Sequence, residues 1–262
     1  MKIDLSGQVI LATGGSSGIG KGIAIHAAKC GATVAIVSRD EPDMRAVVDA
    51  IEADGGTASW AHADVTDSDA VKAAVEKTVQ RHGHLDAVVA NAGTNGTWAP
   101  IDEMTPDEWR KTIDVNLTGT YLTIHHSVAH LRKRGRGSIV IMSSINGTRT
   151  FSNEGASAYA SSKAGQFAFA QMLALELAPS KIRVNVICPG SIQSEIHDKT
   201  NRENLEKIET PIEYPEGDIP LTGGEYGSPE QVANAAAFLM SDLSSHITGT
   251  PIWIDGGQSL IV

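Results

Sequence analysis

Short apolar runs alternate along the chain with longer amphipathic stretches. The runs are rich in β-branched residues, which is typical of strands buried on both faces of a parallel sheet. Seven runs fit this description, at 9–12, 33–37, 58–61, 87–90, 138–142, 183–187 and 252–254. Six stretches between them have helical periodicity, at 20–29, 43–53, 68–81, 106–131, 158–177 and 229–240.

This alternation predicts an α/β fold built on a doubly wound parallel sheet of about seven strands, with helices on both faces and right-handed crossovers. Many α/β domains are as long as this chain of 262 residues, so we expect one domain over 1–262. The alternation stops between 199 and 227, where three prolines and four glycines occur. We expect a substrate lid at 195–227, and a passive surface loop is the alternative.

Composition narrows the functional classes. The hydrophobic fraction of 41% is ordinary for a soluble globular protein. The formal net charge is -10 and the longest basic run is Arg132-Lys133-Arg134, so nucleic-acid binding is not expected. Cys30 and Cys188 lie in apolar stretches without a CxxC motif, which favours buried thiols over a disulfide or a metal site.

No run approaches the ~20 apolar residues of a membrane span, and the first residues lack the apolar region of a signal peptide. We therefore expect a soluble, cytoplasmic protein without a membrane partner.

A glycine-rich loop, Thr13-Gly-Gly-Ser-Ser-Gly-Ile-Gly20, joins the first predicted strand to the first helix. Gly14 can adopt a tight turn, and Gly18 allows the backbone to approach a pyrophosphate closely. Gly20 allows the helix to pack closely against the strand. The helix N-terminus offers unpaired N–H groups to phosphate. The loop predicts a Rossmann-like dinucleotide site, with an ordinary tight turn as the alternative. The expected contacts are Gly14, Ser16, Ser17, Gly18, Ile19 and Gly20.

Ser38-Arg39 ends the second strand, where the adenosine ribose lies in dinucleotide-binding folds. A carboxylate here binds the 2′-hydroxyl of NAD, whereas a hydroxyl and a guanidinium suit a 2′-phosphate. We expect NADP(H) to be preferred, with NAD(H) possible; a solvated surface arginine is the alternative. Further cofactor contacts are expected where other strands end, although these are also common turn residues: Asp64, Val65, Asn91, Ala92, Gly93, Pro189, Gly190 and Ile192.

Tyr159 and Lys163 lie four positions apart at the start of a predicted helix, so they share one face. An ammonium beside the phenol, together with an oxidised nicotinamide, is expected to lower the pKa of the tyrosine. Ser144 ends the fifth strand, where its hydroxyl can stabilise charge on a substrate oxygen. Asn116 interrupts the 106–131 stretch as a mediocre helix former. For Ser144 and Asn116, a turn and a structural hydrogen bond are the alternatives.

Taken together, these motifs resemble the short-chain dehydrogenase/reductase family in order and spacing. The resemblance spans nearly the whole chain and rests on these segments: Thr-Gly-x-x-x-Gly-x-Gly, Asn91-Ala92-Gly93, Asn116, Ser144, Tyr159-x-x-x-Lys163, Pro189-Gly190, Ile247-Thr248-Gly249 and Ile254-Asp255-Gly256-Gly257. Two departures are that Ser17 occupies a position often basic in NADP-preferring members, and that 144–159 is about two residues longer than in ketoacyl-carrier-protein reductases.

The resemblance implies an NAD(P)(H)-dependent oxidoreductase acting on a ketone or secondary alcohol. It implies that Tyr159 is the general acid/base, that Lys163 also binds the nicotinamide ribose, that Ser144 positions the carbonyl, and that Asn116 helps hold a relay water. It also implies a homotetramer. The alternatives are a cofactor-sensing binding protein without catalysis and the related epimerases and dehydratases, whose loop spacing differs. The substrate stays open, and the expected wall residues are Trp98, Asn146, Thr148, Asn153, Glu154, Ile192 and His197.

Overall fold

The computed structural model describes residues 3–194, 196, 199–209 and 218–261. Its strands are β1 (Val9–Thr13), β2 (Thr33–Ser38), β3 (Thr57–His62), β4 (Ala87–Ala90), β5 (Thr97–Trp98), β6 (Gly137–Met142), β7 (Ile182–Pro189), β8 (Asn201–Arg202) and β9 (Pro251–Ile254). Its helices are α1 (Gly18–Lys29), α2 (Glu41–Ala53), α3 (Ser68–His82), α4 (Pro106–Ile113), α5 (Gly119–Arg134), α6 (Ser157–Leu177) and α7 (Pro229–Met240).

The predicted doubly wound sheet is confirmed. Seven strands pair in the order β3-β2-β1-β4-β6-β7-β9, and every pair is parallel. Leu11 of β1 pairs with Ala35 on one side and with Val88 on the other. The strand order therefore reverses at β1, and in open α/β sheets ligands bind outside the carboxyl ends of the strands at such a point.

Two apolar cores cover the two faces of the sheet. Alternate residues of β1 face opposite sides, so Ile10 belongs to one core and Leu11 to the other. The first core includes buried residues of α1, α2 and α7, and the second includes buried residues of α3, α5 and α6. Burial on both faces explains why the strands read as continuous apolar runs rather than as alternating patterns.

The predicted single helix over 106–131 is wrong in detail. It is divided by a π-helical segment, Asp114–Thr118, and it continues to Arg134. Within the widened turn, the Asn116 carbonyl accepts a hydrogen bond from the Thr120 hydroxyl (2.7 Å). A one-residue widening leaves the apolar periodicity nearly intact, so the sequence pattern did not indicate it.

A second, two-stranded sheet was not predicted. β5 and β8 pair in parallel, with Thr97 opposite Asn201 and Trp98 opposite Arg202. β8 belongs to the segment expected to be a lid. Two-residue strands carry no periodic signal, so only the folded chain brings them together.

Neither a membrane-crossing helix nor a metal-binding cluster occurs in the described part of the chain. None of its helices is long and apolar enough to span a bilayer. The same residues contain no group of three or more His, Cys, Asp or Glu side chains arranged to hold a metal ion.

Asp86 is a buried anchor just before β4, with 4% of its side chain exposed. One carboxylate oxygen accepts the Val9 N–H (2.9 Å) and lies 2.9 Å from His84 Nε2, while the other accepts Arg134 Nε (2.7 Å). The carboxylate thus joins the first residue of β1 to the end of α5 at the amino ends of the strands.

We expect Asp86→Ala to lower the free energy of unfolding by about 2–3 kcal/mol, because it leaves a backbone N–H and a partly buried guanidinium without their acceptor. Urea unfolding followed by circular dichroism measures the change. Glu176→Ala, which removes an exposed ion pair with Arg132, is the control and should change stability by less than about 0.5 kcal/mol. Equal losses in both variants would contradict the anchoring role.

Candidate active site

A cleft of about 710 Å³ runs along the carboxyl ends of the strands. It brings together the residues predicted to contact cofactor with three of the four catalytic candidates. These lining residues are Gly14, Ser16, Ser17, Gly18, Ile19, Gly20, Ser38, Arg39, Asp64, Val65, Asn91, Ala92, Gly93, Ser144, Tyr159, Lys163, Pro189, Gly190 and Ile192. The fourth candidate, Asn116, lies behind the wall of the cleft and is fully buried.

The glycine-rich loop is folded tightly against the end of β4. Gly14 has φ +64°, and a Cβ there would lie 2.9 Å from the Ala92 Cα. A Cβ at Gly20 would overlap the Gly14 carbonyl oxygen. The Asn91 amide donates to the carbonyls of Thr13 (3.1 Å) and Gly14 (3.2 Å) and so fixes the turn. Side chains at these two glycines would force the loop open.

The N-terminus of α1 opens onto this cleft. Ser17 is its N-cap residue and makes no side-chain capping bond, so the first N–H groups of the helix are not capped by it. Uncapped N–H groups at a helix N-terminus, beside a loop that only glycine fits, are suited to the pyrophosphate of a dinucleotide. The residues present therefore fit a nicotinamide dinucleotide.

At the far end of the cleft, the Ser38 and Ser16 hydroxyls are hydrogen-bonded (2.9 Å). The Arg39 guanidinium lies 3.4 Å from an Asp64 carboxylate oxygen, with 71% of the Arg39 side chain exposed. Partial burial acts to raise the pKa of Asp64, but hydrogen bonds from Thr66 and the charge of Arg39 outweigh it and lower that pKa. Arg39 thus has an acidic neighbour that the sequence did not indicate.

Tyr159 lies in the first turn of α6, and its side chain faces Ser144. Burial raises the pKa of Tyr159, and a hydrogen bond with the Ser144 side chain only partly opposes that effect. The Ser144 oxygen accepts the Asn146 N–H (3.1 Å), which leaves the Ser144 proton available to a second acceptor. Burial therefore outweighs the contribution of the Lys163 ammonium to the expected lowering of the tyrosine pKa.

Lys163 is buried one turn further along α6. Its ammonium donates to the Met142 carbonyl (2.9 Å) and lies 5.5 Å from the centroid of the Tyr159 ring. Burial lowers the pKa of Lys163 to about 8. Burial, and not the Lys163 ammonium, is therefore the main influence on the pKa of Tyr159.

Asn116 is a hydrogen-bonding centre rather than a lining residue. Its amide accepts from Thr94 N (2.8 Å) and donates to Thr94 O (2.9 Å) and Ser162 Oγ (2.9 Å). Its main-chain carbonyl accepts from Thr120 Oγ1 (2.7 Å) and from Gln166 Nε2 (2.8 Å). Both lone pairs of this carbonyl are thus filled by protein donors.

Gln166 and Ser143 make hydrogen bonds that hold α6 in place. Neither was among the predicted site residues. Gln166 is fully buried and ties α6 to the π-helical segment. Ser143 donates to the Lys163 carbonyl (2.8 Å), which ties α6 to the end of β6. A polar residue on the buried face of an otherwise apolar helix is the signal that could have identified Gln166.

The expected substrate wall is only partly correct. Trp98, Asn146, Asn153 and Ile192 line the cleft. Glu154 lines a neighbouring cavity instead, while the Thr148 hydroxyl donates to the Ser144 carbonyl (2.7 Å). His197 lies outside the described residues.

Most of the described part of the expected lid is attached to the rest of the protein. Asn201 N and Glu203 N donate to the carbonyls of Gly96 (3.2 Å) and Trp98 (2.9 Å). At the other end, Gly227 N donates to Ser191 O (3.0 Å). Residues 195, 197, 198 and 210–217 of the expected lid lie outside the described part.

Comparisons with known proteins agree with this geometry. Residues 14–259 match the family model described as Enoyl-(Acyl carrier protein) reductase. The chain is 37% identical to the 3-oxoacyl-(acyl-carrier-protein) reductase FabG of Chlamydia pneumoniae, over 98% of this chain and 99% of that one.

Two solved structures extend the likeness. A 3-ketoacyl-ACP reductase from Sinorhizobium meliloti is 47% identical with a TM-score of 0.93, over 97% of this chain and 100% of that one. A 3-ketoacyl-(acyl-carrier-protein) reductase from Brucella melitensis, solved with NADH, is 31% identical with a TM-score of 0.86, over 98% and 100%.

The chain therefore belongs to the short-chain dehydrogenase/reductase family, and the predicted resemblance is confirmed. It is a nicotinamide-dependent oxidoreductase that interconverts ketones and alcohols. Nothing in the described site or in these relatives favours the binding protein without catalysis.

The buried ammonium predicts a specific pH dependence of stability. The pKa of Lys163 is about 8 in the folded protein and near its ordinary 10.5 when unfolded, so between these values the unfolded chain binds more protons and stability rises with pH. Replacing Lys163 by Met removes this contribution. From pH 7 to pH 9.5, the free energy of unfolding of wild type should therefore rise by about 2 kcal/mol relative to that of Lys163→Met.

Urea unfolding at the two pH values measures this shift. Replacing the exposed Lys133 by Met is the matched control and should give a difference that does not vary with pH. A pH-independent difference for Lys163→Met would show that Lys163 is not a buried cation.

Proposed function

We propose that this enzyme reduces a ketone, and oxidises the corresponding secondary alcohol, with NADP(H) preferred over NAD(H). In this proposal Tyr159 is the general acid/base, Ser144 positions the substrate oxygen, and Lys163 binds the nicotinamide ribose. One observation carries it: Tyr159, Ser144 and Lys163 line the same cleft as the glycine-rich loop.

In reduction, the bound nicotinamide supplies the hydride to the carbonyl carbon. The carbonyl oxygen accepts a hydrogen bond from the free Ser144 proton and takes the phenolic proton of Tyr159, which becomes a phenolate. Burial holds the pKa of Tyr159 above its ordinary value, so the phenol is protonated at neutral pH and suited to act as the acid. Alcohol oxidation requires the phenolate and is therefore favoured at higher pH.

We further propose that Asn116 positions these groups rather than holding a relay water at its carbonyl, because that carbonyl already has two protein donors. Its amide joins Thr94, beside the cofactor loop, to Ser162 of α6. A shift of this amide would move the helix that carries Tyr159 and Lys163.

The preference for NADP(H) is supported by Ser38 and Arg39. No carboxylate occupies either position, and both side chains line the cleft. Arg39 can exchange its loose, exposed contact with Asp64 for charge-assisted hydrogen bonds to a 2′-phosphate. Asp40 lies next to it but uses one oxygen to accept Asp43 N (3.0 Å), so we expect a preference and not exclusive use of NADP(H).

Assembly, location and lid closure are also proposals. A homotetramer is supported by apolar side chains exposed on the two long helices, Tyr121 of α5 and Met172 and Leu175 of α6. We retain the cytoplasm as the proposed location. The lid at 195–227 is retained as a proposal, and its described residues Asn201, Glu203 and Gly227 are hydrogen-bonded to the rest of the protein.

Tyr159→Phe tests the chemistry. The variant keeps the ring but loses the transferable proton, so kcat should fall by about 10²–10⁴-fold. Ser144→Ala should cost less, because the hydroxyl orients the substrate and does not transfer the proton. The assay follows NADPH oxidation with the best ketone of a panel that includes a 3-oxoacyl thioester, the class named in the relatives.

Tyr121→Phe is the control for the tyrosine substitution, since Tyr121 does not line the cleft. Activity of Tyr159→Phe within about threefold of wild type would exclude Tyr159 as the acid/base.

Arg39→Ala tests the cofactor preference. Wild type should have a higher kcat/KM for NADPH than for NADH. In the variant, the ratio of the two values should fall about tenfold, which is at the lower end of the effect of losing a hydrogen bond to a charged group. Arg45→Ala removes an arginine that pairs with Glu41 outside the cleft and should leave the ratio unchanged. A wild-type preference for NADH, or an unchanged ratio in Arg39→Ala, would show that Arg39 does not bind the phosphate.

A further inference from the structure

The substrate end of the cleft contains an arginine whose position is fixed by the fold. Arg202 lies on β8, directly opposite Trp98 of β5 in a parallel pair. Laterally paired residues of neighbouring strands project to the same side of a sheet, and the Arg202 guanidinium carbon lies 5.6 Å from the centroid of the Trp98 ring.

Several hydrogen bonds hold this pair in place. The Asn95 amide donates to the Thr200 hydroxyl (2.7 Å), and the Trp98 indole donates to the Asn95 carbonyl (3.2 Å). Further along, Glu103 accepts from the Asn204 amide (2.6 Å) and pairs with Lys207. The segment that carries Arg202 is thus tied, on both sides of β8, to the stretch of chain between β4 and α4.

Trp98 connects Arg202 to the chemistry. The Trp98 and Tyr159 ring centroids are 6.5 Å apart, and all three side chains line the same cleft. Trp98 therefore contacts both Arg202 and Tyr159, whereas the described cation–ring contact of Tyr159 is with Lys163 and not with Arg202.

The guanidinium also has no carboxylate partner among the residues that the structure describes. The cleft does contain carboxylates, but Asp40, Asp43 and Asp64 lie at the adenosine end, and Asp218 accepts from the Gln258 amide (2.9 Å). Arg202 can therefore bind an anionic group of the substrate without giving up a described ion pair.

We infer that the substrate carries a carboxylate, bound by Arg202, at the end of an apolar spacer of several carbon atoms that lies along Trp98. The inference rests on the proposed function and adds the substrate class. A planar guanidinium held against an aromatic ring suits a carboxylate, which it can bind through two parallel hydrogen bonds. A 2-oxo acid does not fit, because its carboxylate would lie beside Tyr159 and Ser144, whereas the described ring contact of Arg202 is with Trp98.

Three probes test the inference: 5-oxohexanoate, its methyl ester and 2-oxohexanoate. We measure kcat/KM with NADPH, and the affinity of each probe for the enzyme saturated with NADP⁺ by calorimetry. Wild type should prefer 5-oxohexanoate over the ester by about tenfold, the lower range for a hydrogen bond between charged groups. It should also prefer 5-oxohexanoate over 2-oxohexanoate.

Variants then assign the preference to one side chain. Arg202→Gln should reduce the acid-to-ester ratio to about one, and Arg202→Lys should retain part of it, because the charge stays but the two-pronged geometry is lost. Arg81→Gln removes the same charge from the end of α3, outside the cleft, and should leave the ratio as in wild type. This control separates local binding from a general change in net charge.

The failure of the carboxylate inference can be distinguished from the failure of the proposed function. Equal binding and turnover of acid and ester by wild type, no binding of either, or a ratio unaffected by Arg202→Gln would overturn the carboxylate inference. In those cases, turnover of the neutral ketone 2-hexanone that is lost in Tyr159→Phe would show that the proposed function stands.

Discussion

The buried hydrogen-bonding network around Asn116 is the constraint on which the site depends. It joins three elements that are far apart in sequence: the loop at Thr94, the π-helical segment, and α6 through Ser162 and Gln166. A buried amide or carbonyl without a partner is costly, so these elements hold one another in a single arrangement. Because Tyr159 and Lys163 lie on α6, the network sets the position of both relative to the cofactor loop.

Burial then sets the electrostatics of the proposed catalytic groups. It raises the pKa of Tyr159 and lowers that of Lys163, so it disfavours the charged form of each. A neutral phenol hydrogen-bonded to Ser144 is therefore favoured, and this is the state that the proposed proton donation needs. The buried position that protects this chemistry from water also makes the lysine destabilising to the fold while it is charged.

The proposed substrate end of the cleft is built differently from the site around Tyr159. It is formed by surface segments that pair over two residues each, β5 and β8, and not by the main sheet. The main sheet carries the glycine-rich loop, Ser144 and the helix of Tyr159 and Lys163, whereas the side chains of the proposed substrate end come from these short segments. In this protein they present Trp98 and Arg202.

Local pattern in the sequence is enough to predict seven strands, the glycine-rich turn at Gly14 and the spacing of Tyr159 and Lys163 on one helix face. Each follows from periodicity or from a backbone conformation that one residue type adopts. The widened turn at Asn116, the ion pair between Arg39 and Asp64 and the placement of Arg202 emerge only when the chain is folded. These depend on contacts between residues distant in the chain, for which a local pattern has no signal.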